Sequence, residues 1–188
     1  MTEEKPFLTP KFMTAEMALL AVDAAVQIIL NGPQTGLVSL SMVCQELEPK
    51  RKQCHVVVLV PGMVDHCEED YPNWPDYPLK PVLLYEKSFL GGQEKLEADF
   101  DSIARCKASQ LWTDRNDDRT DCIPHLLFKG DTPYWGGVKR RGIVVTCSGV
   151  QPHIDKLIAG IVADILVAMA HAAWKNSEDC QQQVDFLT

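Results

Sequence analysis

GDTPYWGGVKRRGIVVTCSG, residues 130–149, joins a glycine-rich turn to the clearest strand of the sequence. The second half, IVVTCS at 143–148, is β-branched and apolar and ends at a glycine, which predicts a buried β-strand. Gly136 and Gly137 precede it, and adjacent glycines permit a tight turn or a close approach of the backbone to another group. Tyr134 and Trp135 stand directly before them. Either the rings stack on a planar ligand, or the turn only joins two strands.

Apolar periodicity on both sides of this stretch predicts an α+β fold. A capping Thr14 opens a first helix at about 15–29, whose apolar face reads Met17, Leu20, Ala21, Ala24 and Ile28. Further helices are predicted at 93–112 and from Pro152 to about 174, and strands at 37–45, 55–60, 82–85, 125–128 and 143–148. Paired strands separated by helices favour a single antiparallel sheet with flanking helices.

The last predicted helix is apolar almost all round, and Asp164 is the one acid inside its apolar stretch. A surface helix of a single domain normally has one apolar stripe. We therefore expect one side of this helix to pack on the sheet and another on a second subunit, which makes the protein a homo-oligomer, a dimer or larger.

The composition indicates one soluble domain over 1–188. The formal net charge of −8 argues against nucleic acid and anionic membranes as partners. Seven scattered cysteines without a CxxC motif, and an acidic N-terminus, favour a cytoplasmic location. Residues 61–92, rich in proline, aromatic and acidic residues, are predicted to be an insertion that lacks regular structure over most of its length.

Three stretches carry a family resemblance: TAEMALLAVDAAV at 14–26, SIARCKASQLW at 102–112 and YWGGVKRRGIVVTCSGVQPHID at 134–155. Over about half its length the chain resembles the haem-degrading and haem-binding HbpS-like family, which includes GlcG-type proteins and the C-terminal domain of PduO-type proteins. The resemblance implies a profilin-like or PAS-like fold, assembly into dimers or larger rings, and binding of haem or another small ligand.

The candidate ligand-binding residues surround the Gly-Gly turn and the strand after it. They are Lys107, His125, Tyr134, Trp135, Gly136, Gly137, Ser148, His153 and Asp155. A haem would take His, Cys, Met or Tyr as its axial ligand, which draws attention to His125 and His153. For Lys107 the commoner arrangement is a stem on the core and an ammonium in water.

Three functions are compatible with these residues. The first, and favoured, is small-ligand binding, with haem the leading candidate. The second is an enzyme on a small metabolite that uses His125, Lys107 and Asp155, although the sequence contains no known catalytic motif. The third is a non-catalytic assembly or adaptor protein that uses the aromatic and proline-rich segment as its arm. No metal site is predicted, because the pairs Cys54-His55 and His66-Cys67 lack a zinc-site spacing.

Overall fold

The computed structural model describes residues 7–30, 53–64, 79–116, 124–184 and 187. Its centre is an antiparallel sheet built from four strands in the spatial order β3-β2-β5-β4: β2 Cys54–Val64, β3 Lys80–Phe89, β4 Gly137–Arg140 and β5 Ile143–Ser148. A two-residue strand, β1 Phe7–Leu8, pairs with the far end of β2. The helices are α1 Ala15–Leu30, α2 Phe100–Trp112, α3 Pro152–Lys175 and α4 Glu178–Gln182.

The helices cover both faces of the sheet. Val56, Val58 and Cys147 point into one core with α1 and α3. Val57 and Val144 point into a second core with α2. Because successive side chains of a strand face opposite sides, each of the apolar strands β2 and β5 contributes residues to both cores. The predicted α+β class, with an antiparallel sheet and flanking helices, is confirmed.

The face that α1 buries matches the predicted one only in part. Of the predicted face, Ala21 is buried and Met17 packs partly buried on the core, whereas Leu20 is 60% exposed, Ile28 is 42% exposed and Ala24 is exposed. Small side chains let two helix backbones approach closely, and α1 packs against α3, which buries small residues of its own. The buried side also carries Val22, Val26 and Ile29, so α1 is rotated about its axis relative to the predicted face, with its buried alanines toward α3.

Helix α2 begins at Phe100 rather than at the predicted Gln93. The buried side chain of Gln53 replaces the missing helical hydrogen bonds of the segment before it. The Gln53 amide donates to the carbonyls of Leu90 and Lys95, at 3.1 and 3.0 Å, and accepts from the backbone N–H of Glu97 at 2.8 Å. The side chain of Gln53, directly before β2, thus holds this segment in a non-helical path, which local periodicity does not reveal.

The predicted strand at 125–128 is wrong, because a short 3-10 helix occupies Pro124–Leu126. Pro124 lacks an N–H and has a fixed φ, which suits the first position of such a turn. The predicted strand at 82–85 exists but is longer, since β3 runs from Lys80 to Phe89 and pairs with β2, Pro81 lying opposite Pro61. Residues 61–64 and 80–89 of the predicted insertion at 61–92 therefore belong to paired strands. Its middle, 65–78, and the predicted strand at 37–45 lie outside the described residues.

Helix α3 is long and apolar enough to cross a bilayer, with a mean hydropathy of 1.9 over its most apolar window. Core helices of globular domains share this length and composition. In α3, 33% of that window is buried within the described structure, including Ile158, Val162 and Leu166.

Candidate ligand-binding cleft

A cleft of about 290 Å³ lies where the N-terminal ends of α2 and α3 meet the end of β5. Its lining is polar at some positions and apolar at others. The polar residues are Lys107, Tyr134, Ser148, Gln151 and Asp155, and the others are Ala98, Phe100, Ile103, Gly149, Val150 and Pro152. A few convergent polar groups in an apolar cleft are typical of small-molecule sites.

A buried ion pair forms part of the cleft. Lys107 is 1% exposed and Asp155 is 3% exposed. The ammonium Nζ of Lys107 donates to the carbonyl of Cys147 at 2.9 Å and lies 3.4 Å from Oδ2 of Asp155. Oδ1 of Asp155 accepts the backbone N–H of Val150 at 3.1 Å. The pair therefore fastens α2 to the start of α3, although removing two charges from water is costly.

Burial raises the pKa of the Asp155 carboxyl, and the nearby Lys107 ammonium and the Val150 N–H oppose this effect only in part. The carboxyl therefore takes up a proton at a higher pH than an exposed aspartate does.

Gly136 makes this arrangement possible. A Cβ at position 136 would lie 2.6 Å from Cβ of Asp155 and 3.2 Å from Nζ of Lys107, and its φ of +125° belongs to the left-handed region. The carbonyl of Gly136 accepts the backbone N–H of Cys147 at 3.1 Å. Gly136 therefore lies directly against the ion pair, and only a residue without a side chain fits at this position.

Ser148 is a buried polar group of the cleft without a hydrogen-bond partner for its side chain in the described residues. The residue is 4% exposed. Buried hydroxyls are nearly always hydrogen-bonded, so a buried one at the wall of a cleft indicates a place for a ligand or a water. Ser148 follows Thr146 on the face of β5 that α2 covers, since Thr146 donates to the Ala104 carbonyl at 2.8 Å.

The predicted site residues divide into two groups. Lys107, Tyr134, Ser148 and Asp155 line the cleft together. Gly136 backs the ion pair, and Gly137 begins β4, where a Cβ would lie 2.7 Å from both Leu111 and Thr146. Five of the nine predicted residues are not among the lining residues: besides Gly136 and Gly137, these are His125, which is exposed in the 3-10 helix, Trp135, which is half-buried, and His153, which is exposed on α3.

Sequence reasoning missed the apolar wall. Phe100 and Ile103 line the cleft beside Lys107. The three residues follow one another at a spacing of three and four on one face of α2, and this pattern was a usable signal. The lining residues Val150, Gln151 and Pro152 carry no such signal, because their position depends on where β5 meets α3.

A second polar cluster, also missed, lies on the α2 face of the sheet around His55. Nδ1 of His55 lies 2.8 Å from Oγ of Ser88, and Nε2 lies 3.4 Å from Glu86. Arg105 donates two hydrogen bonds to Glu86, at 2.9 and 3.0 Å. Burial lowers the pKa of His55, and Arg105 lowers the pKa of Glu86. His55 is opposite both Ser88 and Ser148 in the sheet, so this cluster adjoins the cleft.

Comparison with protein-family models, with curated proteins and with solved structures finds no match to this chain. The resemblance to the HbpS-like family therefore stays a prediction.

The haem that this resemblance implies fits the cleft poorly. Among the described lining residues, only the phenol of Tyr134 is of a type that ligates haem iron. A volume of about 290 Å³ is also at the lower end of the range for drug-sized ligands, and a porphyrin is larger than these. Elsewhere in the described part of the chain, no three or more His, Cys, Asp or Glu residues are grouped as metal ligands.

Proposed function

We propose that this protein binds a small molecule in the cleft between the N-terminal ends of α2 and α3. The observation that carries the proposal is the combination of Lys107, Ser148 and Asp155, all buried, at the wall of a cleft that is otherwise largely apolar. Buried polar groups are costly unless they are satisfied, and one of them, Ser148, has no partner in the described residues. A bound ligand would supply that partner.

A molecule smaller than haem suits the cleft best. The volume and the apolar side chains of Phe100 and Ile103 accommodate a single ring or a short branched chain. Tyr134, which is 56% exposed at the cleft, offers a ring to such a group.

A ligand screen by thermal shift tests this proposal. A molecule that binds only the folded state raises the melting temperature by an amount that grows with its concentration. Every hit is then repeated on Ile103→Trp, which fills the cleft, and on Ser102→Trp, which adds the same ring at an exposed position of the same helix outside the cleft. We expect the hits to lose binding to Ile103→Trp and to keep binding to Ser102→Trp. Hits that bind both variants equally, or a screen without hits, would contradict the proposal.

We also propose that the chain forms a homo-oligomer through the outer side of the α1 and α3 layer. Leu20, Ala24 and Ile28 are exposed along one side of α1, at a spacing of four residues, and Leu157 of α3 is 37% exposed. An exposed apolar stripe of this kind is typical of an interface. Light scattering should give a mass of at least two chains, and the double variant Leu20→Glu, Ile28→Glu should reduce it. A monomeric mass for the unaltered protein would overturn this proposal.

A further inference from the structure

We infer that the cleft recognises its ligand through a carboxylate group. The inference rests on the proposed function, because it assigns the chemical class of the molecule that this cleft holds. Four observations lead to it: the hydrogen-bond donors of Lys107 and Ser148, the two helix ends at the cleft, the charge balance of the ion pair, and the apolar wall.

The first observation concerns donors. An ammonium carries three N–H groups, and in the described structure Lys107 directs two of them to the carbonyl of Cys147 and to Asp155. One N–H is left over. The hydroxyl of Ser148, 4% exposed and without a partner among the described residues, supplies a second donor in the same cleft. Two donors in one small cleft match the two oxygens of a carboxylate.

The second observation concerns helix ends. Helix α3, of 24 residues, begins at Pro152, and the side chain of the preceding Gln151 makes no capping hydrogen bond. Helix α2, of 13 residues, begins at Phe100, and Asp99 before it likewise makes no side-chain cap. Phe100, Gln151 and Pro152 all line the cleft. The positive ends of both helix dipoles therefore lie at the cleft and favour a negative group.

The third observation concerns charge. Asp155 and Lys107 balance each other, so a monovalent anion is attracted mainly by the helix ends and the leftover ammonium N–H. A dianion such as a phosphate ester would meet stronger repulsion from the Asp155 carboxylate. A cation would compete with Lys107 for the same carboxylate. A ligand with a single carboxylate is repelled by Asp155 less than a dianion is, and it does not compete with Lys107 as a cation would.

The fourth observation is the apolar wall. Phe100, Ile103 and Pro152 face the same cleft and suit a compact hydrophobic body attached to the carboxylate. The expected ligand is a small aromatic or branched carboxylic acid.

The experiment compares four probes that share one ring: benzoate, benzamide, benzylamine and phenyl phosphate. Binding is followed by chemical-shift changes of backbone amides in the full chain at neutral pH. We expect benzoate to perturb the amides of Ser148, Gly149 and Val150 and to bind at least about tenfold more tightly than the other three. If benzamide, benzylamine or phenyl phosphate binds as tightly as benzoate, the carboxylate assignment is overturned while small-molecule binding stands. If none of the four perturbs these amides at millimolar concentration, the assignment is equally overturned, and the independent ligand screen still decides the proposed function.

The variant Ser148→Ala tests the role of the hydroxyl. Loss of a hydrogen bond to a charged group should weaken benzoate binding by about 10- to 100-fold. Ser109→Ala, at an exposed position of α2, is the matched control and should leave it unchanged. Unchanged benzoate binding to Ser148→Ala, with the backbone amide spectrum showing a folded protein, would refute the role of this hydroxyl.

A porphyrin propionate carries the same group as a small carboxylic acid, so a hemin titration distinguishes the two sources. Benzoate binding without a hemin Soret shift supports a small free acid. A Soret shift that benzoate reverses supports a propionate in the cleft. A Soret shift that benzoate leaves unchanged places hemin elsewhere, and in that case the benzoate result alone decides.

Discussion

Replacing Lys107 by methionine tests the buried ion pair most directly. The variant keeps much of the stem but removes the ammonium, so the Asp155 carboxylate, 3% exposed, loses its charged partner and the Cys147 carbonyl loses a donor. Breaking a buried pair on one side costs about 3–5 kcal/mol. For a chain of 150–250 residues each kcal/mol lowers the melting temperature by about 2–4 °C, so Lys107→Met should melt about 6–20 °C lower.

The double variant Lys107→Met, Asp155→Asn completes the cycle. Once the uncompensated charge is removed, part of the lost stability should return, so the double variant should be more stable than Lys107→Met alone. The control is Lys87→Met, which breaks the half-exposed Lys87–Asp23 pair at 2.7 Å and should cost at most about 1 kcal/mol. Urea denaturation monitored by circular dichroism measures all of these variants.

Two results would refute the reasoning about the pair. One is a cost of Lys107→Met no larger than that of Lys87→Met. The other is a double variant whose loss of stability equals the sum of the two single losses, since residues in direct contact should couple.

Three further predictions concern Gly136, the titration of Asp155 and Glu86, and the cap of α1. Gly136→Ala combines a φ of +125° with a contact of 2.6 Å to Asp155 and should cost several kcal/mol, whereas Gly142→Ala, with a φ of +85° and open space around it, should cost only about 1–2 kcal/mol; equal melting temperatures would contradict this. Burial raises the pKa of Asp155, so the folded protein binds this proton more tightly than the unfolded chain does. The contribution of Asp155 to stability is therefore complete below the unfolded pKa of about 4 and is lost as the pH rises through the folded pKa. Arg105 lowers the pKa of Glu86, so the contribution of Glu86 is lost as the pH falls through its folded pKa. The stability differences between the unaltered protein and Asp155→Asn or Glu86→Gln should therefore change with pH in opposite directions, and urea titrations that show the same direction for both would be inconsistent with these shifts. Thr14→Ala removes the oxygen that accepts the Met17 N–H at 3.3 Å and should lower the unfolding free energy by about 1 kcal/mol; no change in chemical denaturation would argue against the cap.

Local patterns predicted the strands β2 and β5 and the helix α3 well. The run at 55–60 and the run at 143–148 are β-branched enough to exclude helix, and Pro152 has a natural place in a first helical turn. Periodicity also found α1 but assigned Leu20, Ala24 and Ile28 to its buried face, because local spacing does not show which side of the helix α3 covers.

The site was predictable only in part, since its key contacts join distant parts of the chain. Lys107 and Asp155 are 48 positions apart, so no spacing rule could place the ammonium inside the protein rather than in water. His55 likewise meets Glu86 and Ser88, which are more than 30 positions away, through the register of β2 and β3. The residues near the Gly-Gly turn were found because a backbone that needs glycine shows this need in the sequence. An ion pair between distant positions has no such local pattern.

The walls of the cleft differ in how freely they can vary. Gly149 lines the inner side and Gly136 lies behind the ion pair. A side chain added at Gly149 would meet the Gln53 carbonyl at 2.5 Å, and one added at Gly136 would meet Asp155. Phe100, Ile103 and Tyr134 form the outer side, where the last of these is largely open to solvent. Substitutions at these three outer side chains should therefore change which apolar groups the cleft accepts, while the inner side keeps the polar groups that bind the ligand.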